Sequence, residues 1–381
     1  MTSSRENTLS VAAAQALCLE NGIPFYTYRL PGSGEVVFGA QLSGELNLFQ
    51  GFERRPPGKG FVVTPFNPAS WSFPYFIRAD VSFTGELSDA GAIAALRGAT
   101  YAVPPPREPG EREPNHREYV DEARRLLAVI EREGLRKVVL ARTITVPRDA
   151  LALAPLLFER MMTYGEAFLF MFSLPGKGTW TGASPELFLK YDRDGFRAMA
   201  LAATRPVDGT PFPVAWSAKE REEQQIVSDY ILETLSPFFT RHLERGEPAT
   251  TRAANLYHLC TRFYSDEQLP ADEIDRLVAQ LHPTPAVCGL PKKRAMQLIA
   301  ETEWQERGYY GGLVGPVGQN GAFDLFVNIR SMELFPGAFR LHVGGGITPL
   351  SDPGEEWRET CQKADTLLNL VREIDHDGAL V

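Results

Sequence analysis

Two segments that turn acidic residues toward their own apolar stripe constrain this chain more than any other feature. The run from Leu341 to Ile374 reads as a strand, a glycine turn and a closing helix. Gly344, Gly345 and Gly346 let backbone approach a ligand closely, and Asp352 with Pro353 marks the helix start. In that helix Glu356, Glu359 and Lys363 share a stripe with Leu367 and Leu370. The segment SAKEREEQQIVSDYILETL repeats the arrangement: Glu220 and Glu223 lie on the stripe continued by Ile226, Val227, Tyr230 and Ile231. Two carboxylates about 5 Å apart repel by roughly 3 kcal/mol at an effective dielectric near 20, so facing acids need a cation. All-oxygen ligation favours magnesium over zinc, and magnesium keeps open positions for an anionic substrate. The alternative is two solvated faces carrying i, i+4 pairs with Lys219 and Lys363.

The rest of the chain is rich in strands. An amphipathic helix around Ser10–Glu20 opens it, followed by short strands such as FYTYRL and EVVFGAQL, with no catalytic signature in that region. VPPPREPGEREPNHREY reads as an exposed proline-rich connection, and Arg117–Glu133 as a helix that Gly134 ends. RKVVLARTITV is a β-branched strand, a helix over Ala150–Met162 follows, and then come EAFLFMFSL, WTGASPELFLKY and FRAMALAATRPV. GYYGGLVGPVG and AFDLFVNIRSMEL look like a hairpin pair. Apolar strands joined by short turns and interrupted by single helices predict an α+β fold with large antiparallel sheets rather than a βαβ alternation.

Within these strands a few residues stand out chemically. Lys137 enters a buried strand, where desolvation would make it a base near neutral pH unless its amine snorkels to solvent. Glu186 is an acid in an apolar strand after Ser-Pro: either burial keeps it protonated or an arginine pairs with it at a strand edge. His258 lies in LYHLCTRF, as a satisfied core histidine or as a donor to a substrate oxygen. Tyr310 and Arg330 are large polar groups among apolar ones, and an arginine so placed binds a carboxylate.

The net charge of −9 and the lack of a basic aromatic stripe argue against nucleic acid. Neither a bilayer-spanning run nor a basic-then-apolar leader is evident, so no membrane association and a cytoplasmic location are expected. The scattered cysteines Cys18, Cys260, Cys288 and Cys361 read as reduced core thiols. A monomer or weak homo-oligomer is expected.

In order along the chain, KVVLAR, GASPELFL, LAATRP, SAKEREEQQIV, HLCTRF, LHPTPAVCGLPK, ERGYYGGLVG, VNIRS and VGGGITPLSDPGEEWRETCQK resemble the chorismate-utilising enzymes: isochorismate, salicylate, anthranilate and aminodeoxychorismate synthases. The resemblance covers about residue 115 to the C-terminus. It implies two large antiparallel β-sheets packed face to face with helices outside. Residues 115–381 would form the chorismate-binding region, with 1–114 an N-terminal part of the same compact unit. It further implies that Glu223 and Glu359 bind magnesium, with Glu220 and Glu356 close by or acting through water, and that the ion holds the ring carboxylate of chorismate. Arg330, Tyr310 and the amides of Gly344 and Gly346 would bind the enolpyruvyl carboxylate. Lys363 would sit near the metal-bound end, and His258 and Thr261 would line the same pocket.

By the same resemblance, Lys137 marks members that activate water rather than ammonia. Lys137 would take a proton from water attacking ring C2, and protonated Glu186 would donate to the departing C4 hydroxyl, giving isochorismate. The small Ala286 in HPTPA resembles isochorismate synthases more than salicylate synthases. A salicylate synthase is the nearer alternative and a non-catalytic chorismate-binding subunit the more distant one. The product would enter menaquinone or siderophore biosynthesis. Two departures stand out: LAATRP has alanine where glycine is more usual, and Asn328 replaces a small or β-branched residue.

Overall fold

The computed structural model describes residues 8–378 apart from 56, 69–71 and 103–111, with side chains as far as Ile374. The proline-rich connection therefore falls largely outside the described residues.

Local sequence signals fix the helix ends. Asn115 caps His116–Glu133 through a capping box with Glu118, and Gly134 closes it at φ +68°. Ser10 caps Val11–Asn21, and Asp149 caps Ala150–Met161.

The strands form two large antiparallel sheets, of nine and ten strands among the described residues. In the nine-stranded sheet Lys137–Pro147 lies between the short Gly289–Leu290 strand and Ala338–Ile347, followed by Ser331–Phe335, Gly178–Ser184 and Phe168–Leu174. In the ten-stranded sheet Leu256–Ser265, Gly195–Pro206, Leu187–Asp192, Phe323–Val327 and Leu313–Val317 run side by side. Strands from the N-terminal region extend both: Phe25–Arg29, Val37–Ala40 and Val81–Thr84 the first, Gly60–Thr64 and Tyr75–Arg78 the second.

The sheets pack face to face through an aromatic layer. Phe168 stacks on Phe326 with ring centroids 4.0 Å apart, and Tyr26 on Phe61 at 5.1 Å. On the outer faces, Val11–Asn21, Ala150–Met161 and Pro353–Gly378 bury their apolar sides against the nine-stranded sheet. Ala218–Leu235 and Ala271–Leu281 do so against the ten-stranded one.

At two crossovers the chain passes from one sheet to the other. Gly178–Ser184 belongs to one sheet and Leu187–Asp192 to the other; Phe323–Val327 and Ser331–Phe335 divide in the same way. The two crossovers brace each other: Ala183 N–H donates to Arg330 O at 3.0 Å, Val327 N–H to Glu186 O at 3.0 Å, and Ser184 Oγ to Val327 O at 2.6 Å. Leu313–Val317 and Phe323–Val327 do form a hairpin, but the run ending in SMEL does not extend it. It leaves at Asn328–Arg330, where Arg330 adopts φ +50°, and joins the other sheet.

Among the described residues no helix is long and apolar enough to cross a membrane.

Candidate active site

The crossovers aim Glu186 and Arg330 into one cavity, also lined by Lys137, Glu223, His258, Ala286, Tyr310, Gly344, Glu359 and Lys363. Two larger hollows, of about 370 and 430 Å³, flank residues 305–308. Convergence of acid, base and cation rather than size identifies the smaller cavity as the candidate site.

Lys137 does not snorkel. It is 1% exposed, and its Nζ donates to Glu223 Oε1 at 2.8 Å. Burial pushes the Glu223 carboxyl up, but the neighbouring Lys137 ammonium outweighs it and holds Glu223 below the usual carboxylate range. Gly346 makes this pairing possible: a Cβ there would stand 2.4 Å from Lys137 Cε and 2.8 Å from Glu223 Oε1.

Glu186 takes the protonated option. Burial drives its carboxyl up to about 8 against the opposing charges of Lys137, Arg330 and Lys363. Its Oε1 has no hydrogen-bond partner among the described residues, so no arginine pairs with it there. A neutral acid therefore faces the same cavity as a lysine.

His258 differs from the donor considered for it. Its Nδ1 lies 2.9 Å from Ala203 O, and burial lowers its pKa to about 3. The carbonyl fixes the proton on Nδ1, which leaves Nε2 as a lone-pair acceptor, unpartnered among the described residues. Ala203 is the alanine of LAATRP, held at φ +57° where the strand register shifts, which accounts for glycine being the easier residue in that motif.

Arg330 lines the cavity with no side-chain hydrogen bond among the described residues, and burial lowers its pKa to about 10. It remains a cation at neutral pH. The strand Ala338–Ile347 pairs with Lys137–Pro147 in the register Gly344↔Ala141 and Gly346↔Val139. Lys363 Nζ donates to Gly344 O at 2.9 Å, and Ala141 N–H points to the far side of its own strand. The peptide groups of Gly344 and Gly346 thus face away from Lys137–Pro147. They emerge beyond the last pairing of Ser331–Phe335, which ends at His342, and their amides are open to an anion.

The acids of the two helices meet unequally. Glu223 and Glu359 line the cavity. Glu356 is 1% exposed behind it, bound to Lys219 Nζ at 2.5 Å, with its pKa pushed up to about 7 by burial and then by the Glu359 charge. Glu359 pairs with Lys363 at 2.6 Å. Glu220 goes elsewhere: it receives two bonds from Arg205, at 2.7 and 2.6 Å, and closes a capping box with Ser217. That corrects the placement of Glu220 beside an ion, because an arginine fork and a helix cap already occupy its oxygens.

Thr261 is also displaced from expectation. It is fully buried, accepts a bond from Gln224 Nε2 at 3.1 Å and does not line the cavity. Asn328 donates to Tyr309 O at 2.8 Å, bracing the crossover rather than facing a ligand.

As placed, no three His, Cys, Asp or Glu groups among the described residues converge to hold a metal. Each carboxylate leans instead on a lysine: Glu223 on Lys137, Glu356 on Lys219, Glu359 on Lys363. Glu223 and Glu359, the two carboxylates of this set that line the cavity, are oxygen donors of the kind a hard divalent ion such as magnesium takes, with Glu356 behind them.

Sequence reasoning passed over Glu303 and Arg307. They form a buried pair at 2.5 Å beside the Lys137 strand. Their i, i+4 spacing in ETEWQER was the available signal.

The family model for chorismate binding enzymes matches residues 86–369. The isochorismate synthase EntC of Escherichia coli K12 is 32% identical over 316 residues, covering 80% of this chain and 79% of that protein. A putative isochorismate synthase MenF of Mycobacterium tuberculosis is 36% identical, covering 74% and 77%. Among solved structures, the menaquinone-specific isochorismate synthase MenF of Escherichia coli superposes with a TM-score of 0.73 at 22% identity, covering 94% of this chain and 91% of that one. Anthranilate synthase component I of Streptococcus pneumoniae superposes at 0.63 and 16% identity, covering 90% and 89%.

Proposed function

This chain belongs to the chorismate-binding enzymes, and from that premise we propose that it is an isochorismate synthase, converting chorismate to isochorismate. The observation carrying this reading is a buried lysine and a buried protonated glutamate, Lys137 and Glu186, facing one cavity that also holds the uncommitted Arg330.

Transposing a hydroxyl from C4 to C2 needs a base for the incoming water and an acid for the departing oxygen. Lys137 takes the proton from water as its oxygen bonds to C2; the ring double bonds shift, and the C4–O bond breaks with a proton from Glu186. Water enters and water leaves, so atoms balance. Glu186 suits the acid role because burial keeps its proton below pH 8. Glu223 accepts the hydrogen bond that holds Lys137 Nζ in place. Arg330, Tyr310 and the amides of Gly344 and Gly346 orient the enolpyruvyl carboxylate, and His258 Nε2 accepts from a substrate hydroxyl. Glu223, Glu359 and Glu356 would hold magnesium, which when bound supplies the positive charge that grips the ring carboxylate. Glu220, committed to Arg205, is left out of that set.

Relatives include a vibriobactin-specific and a menaquinone-specific isochorismate synthase, and the product here would serve either kind of pathway.

Chromatography of the products made from chorismate tests the reading, with magnesium and with a chelator. Isochorismate that forms with the ion and fails without it supports the proposal. Salicylate with pyruvate, or anthranilate when ammonia is present, would replace it with a sister reaction. No turnover would favour a binding subunit, and full activity in chelator would remove magnesium.

A further inference from the structure

The strand that carries Lys137 has a neighbour on one edge for only its first residues. Gly289–Leu290 pairs with Val138 and Lys137, and Val139 N–H reaches Cys288 O at 2.7 Å. Beyond that point the edge has no strand beside it among the described residues, yet its next two polar groups are satisfied. Val139 O accepts from Arg307 Nη2 at 3.1 Å, and Ala141 N–H donates to Glu303 Oε1 at 2.7 Å. Glu303 and Arg307 are bonded to each other at 2.8 and 2.5 Å, and the second arm of the guanidinium donates to Val287 O at 2.6 Å.

We infer that the Glu303–Arg307 pair is a positioning device that continues the β ladder with side chains, fixing the Lys137 strand against the 286–287 wall of the cavity. An arginine fork and a carboxylate present donors and acceptor in the order that a neighbouring backbone would. Both side chains are about 5% exposed, so bulk water does not compete for the edge. The consequence falls on the side chains that alternate inward from this edge. Lys137 and Val139 line the cavity, and Ala141 packs beside Gly344. Val287 and Ala286 line the cavity from the segment held by the other arm of Arg307. One ion pair therefore sets the spacing between the base and the facing wall without touching substrate.

The test reads backbone protection and turnover separately, and its kinetic arm rests on the isochorismate synthase reading. In Glu303→Ala, the Ala141 amide should exchange with deuterium at least about 10-fold faster, because Glu303 is its partner. The Leu140 amide, on the edge facing Gly345, should stay protected. Unchanged Ala141 protection, or equal acceleration at both amides, would overturn the clamp. Glu303→Gln, which keeps the acceptor, should restore Ala141 protection; failure to do so would count against the assignment. Arg307→Lys keeps the charge but loses the fork that spans Val139 O and Val287 O. Its kcat should fall about 30-fold, a sub-ångström misplacement of the base, with KM within about threefold. An unchanged kcat in folded Arg307→Lys would overturn the positioning role. If the wild-type protein forms no isochorismate, the functional reading fails, and the exchange measurements still decide the clamp.

Discussion

Replacing Gly346 with alanine separates the chemistry of Lys137 from the integrity of the fold. The new Cβ would stand 2.4 Å from Lys137 Cε, 3.0 Å from its Nζ and 2.8 Å from Glu223 Oε1. Carbon atoms in contact settle near 3.5 Å or more, so the lysine must retreat by about 1 Å. All three crowded atoms belong to the ends of side chains rather than to backbone. The expected stability loss is therefore modest, about 1–3 kcal/mol for an overpacked site. A 1 Å misplacement of a reacting group costs about 100-fold in rate, or about 2.7 kcal/mol of barrier. Steady-state kinetics of isochorismate formation, with thermal melts of the same preparation, measure both. In Gly346→Ala kcat should fall about 100-fold in a folded protein, with a milder effect for Gly344→Ala, whose closest contacts would be at 3.2 Å. Wild-type kcat in folded Gly346→Ala would refute the placement of the base.

Glu186→Gln removes the proton donor and should lower turnover about 10²- to 10⁴-fold. In the wild-type protein the acid form prevails below pH 8, so turnover should fall as pH rises through about 8; a flat profile there would contradict the role. The same raised pKa makes its contribution to stability complete below the ordinary value of 4.5 and lost as pH rises through about 8, so melts of Glu186→Gln should lose that slope. Arg330→Ala should raise KM for chorismate about 10- to 100-fold, the worth of a charged hydrogen bond; an unchanged KM would remove it from carboxylate binding. Glu220→Ala should cost about 1 kcal/mol of stability as a lost cap partner while magnesium still activates; loss of the magnesium response would return Glu220 to the ion.

Much of this architecture was legible because its signals are local. The capping box at Asn115, the glycine at 134 and the β-branched run from Lys137 each specify an element from neighbouring residues. The acids on apolar stripes pointed to a charged interior, and Glu223, Glu356 and Glu359 are there. Helical periodicity could not say that Glu220 would be taken by Arg205, since that partner lies in the adjoining strand. The sheet switch at Asn328–Arg330 was hidden for a related reason. Both halves of VNIRSMEL are apolar and strand-forming, so the pattern continues while the pairing partner changes. Thr261 and Asn328 look available in sequence, but the fold buries both, with the Thr261 hydroxyl oxygen bonded to Gln224 and the Asn328 amide nitrogen to Tyr309 O. Glu303 and Arg307 escaped notice because their role arises only when the fold sets them against a strand edge that has no neighbouring strand among the described residues.

Running the reaction in ¹⁸O-labelled water examines the Lys137 and Glu186 assignment at the bonds it concerns. Isochorismate should carry one solvent oxygen, at C2, with the original C4 oxygen released to water. A product whose C2 oxygen comes from the substrate itself would rule out Lys137 as the base, because no water would then have been activated by the lysine.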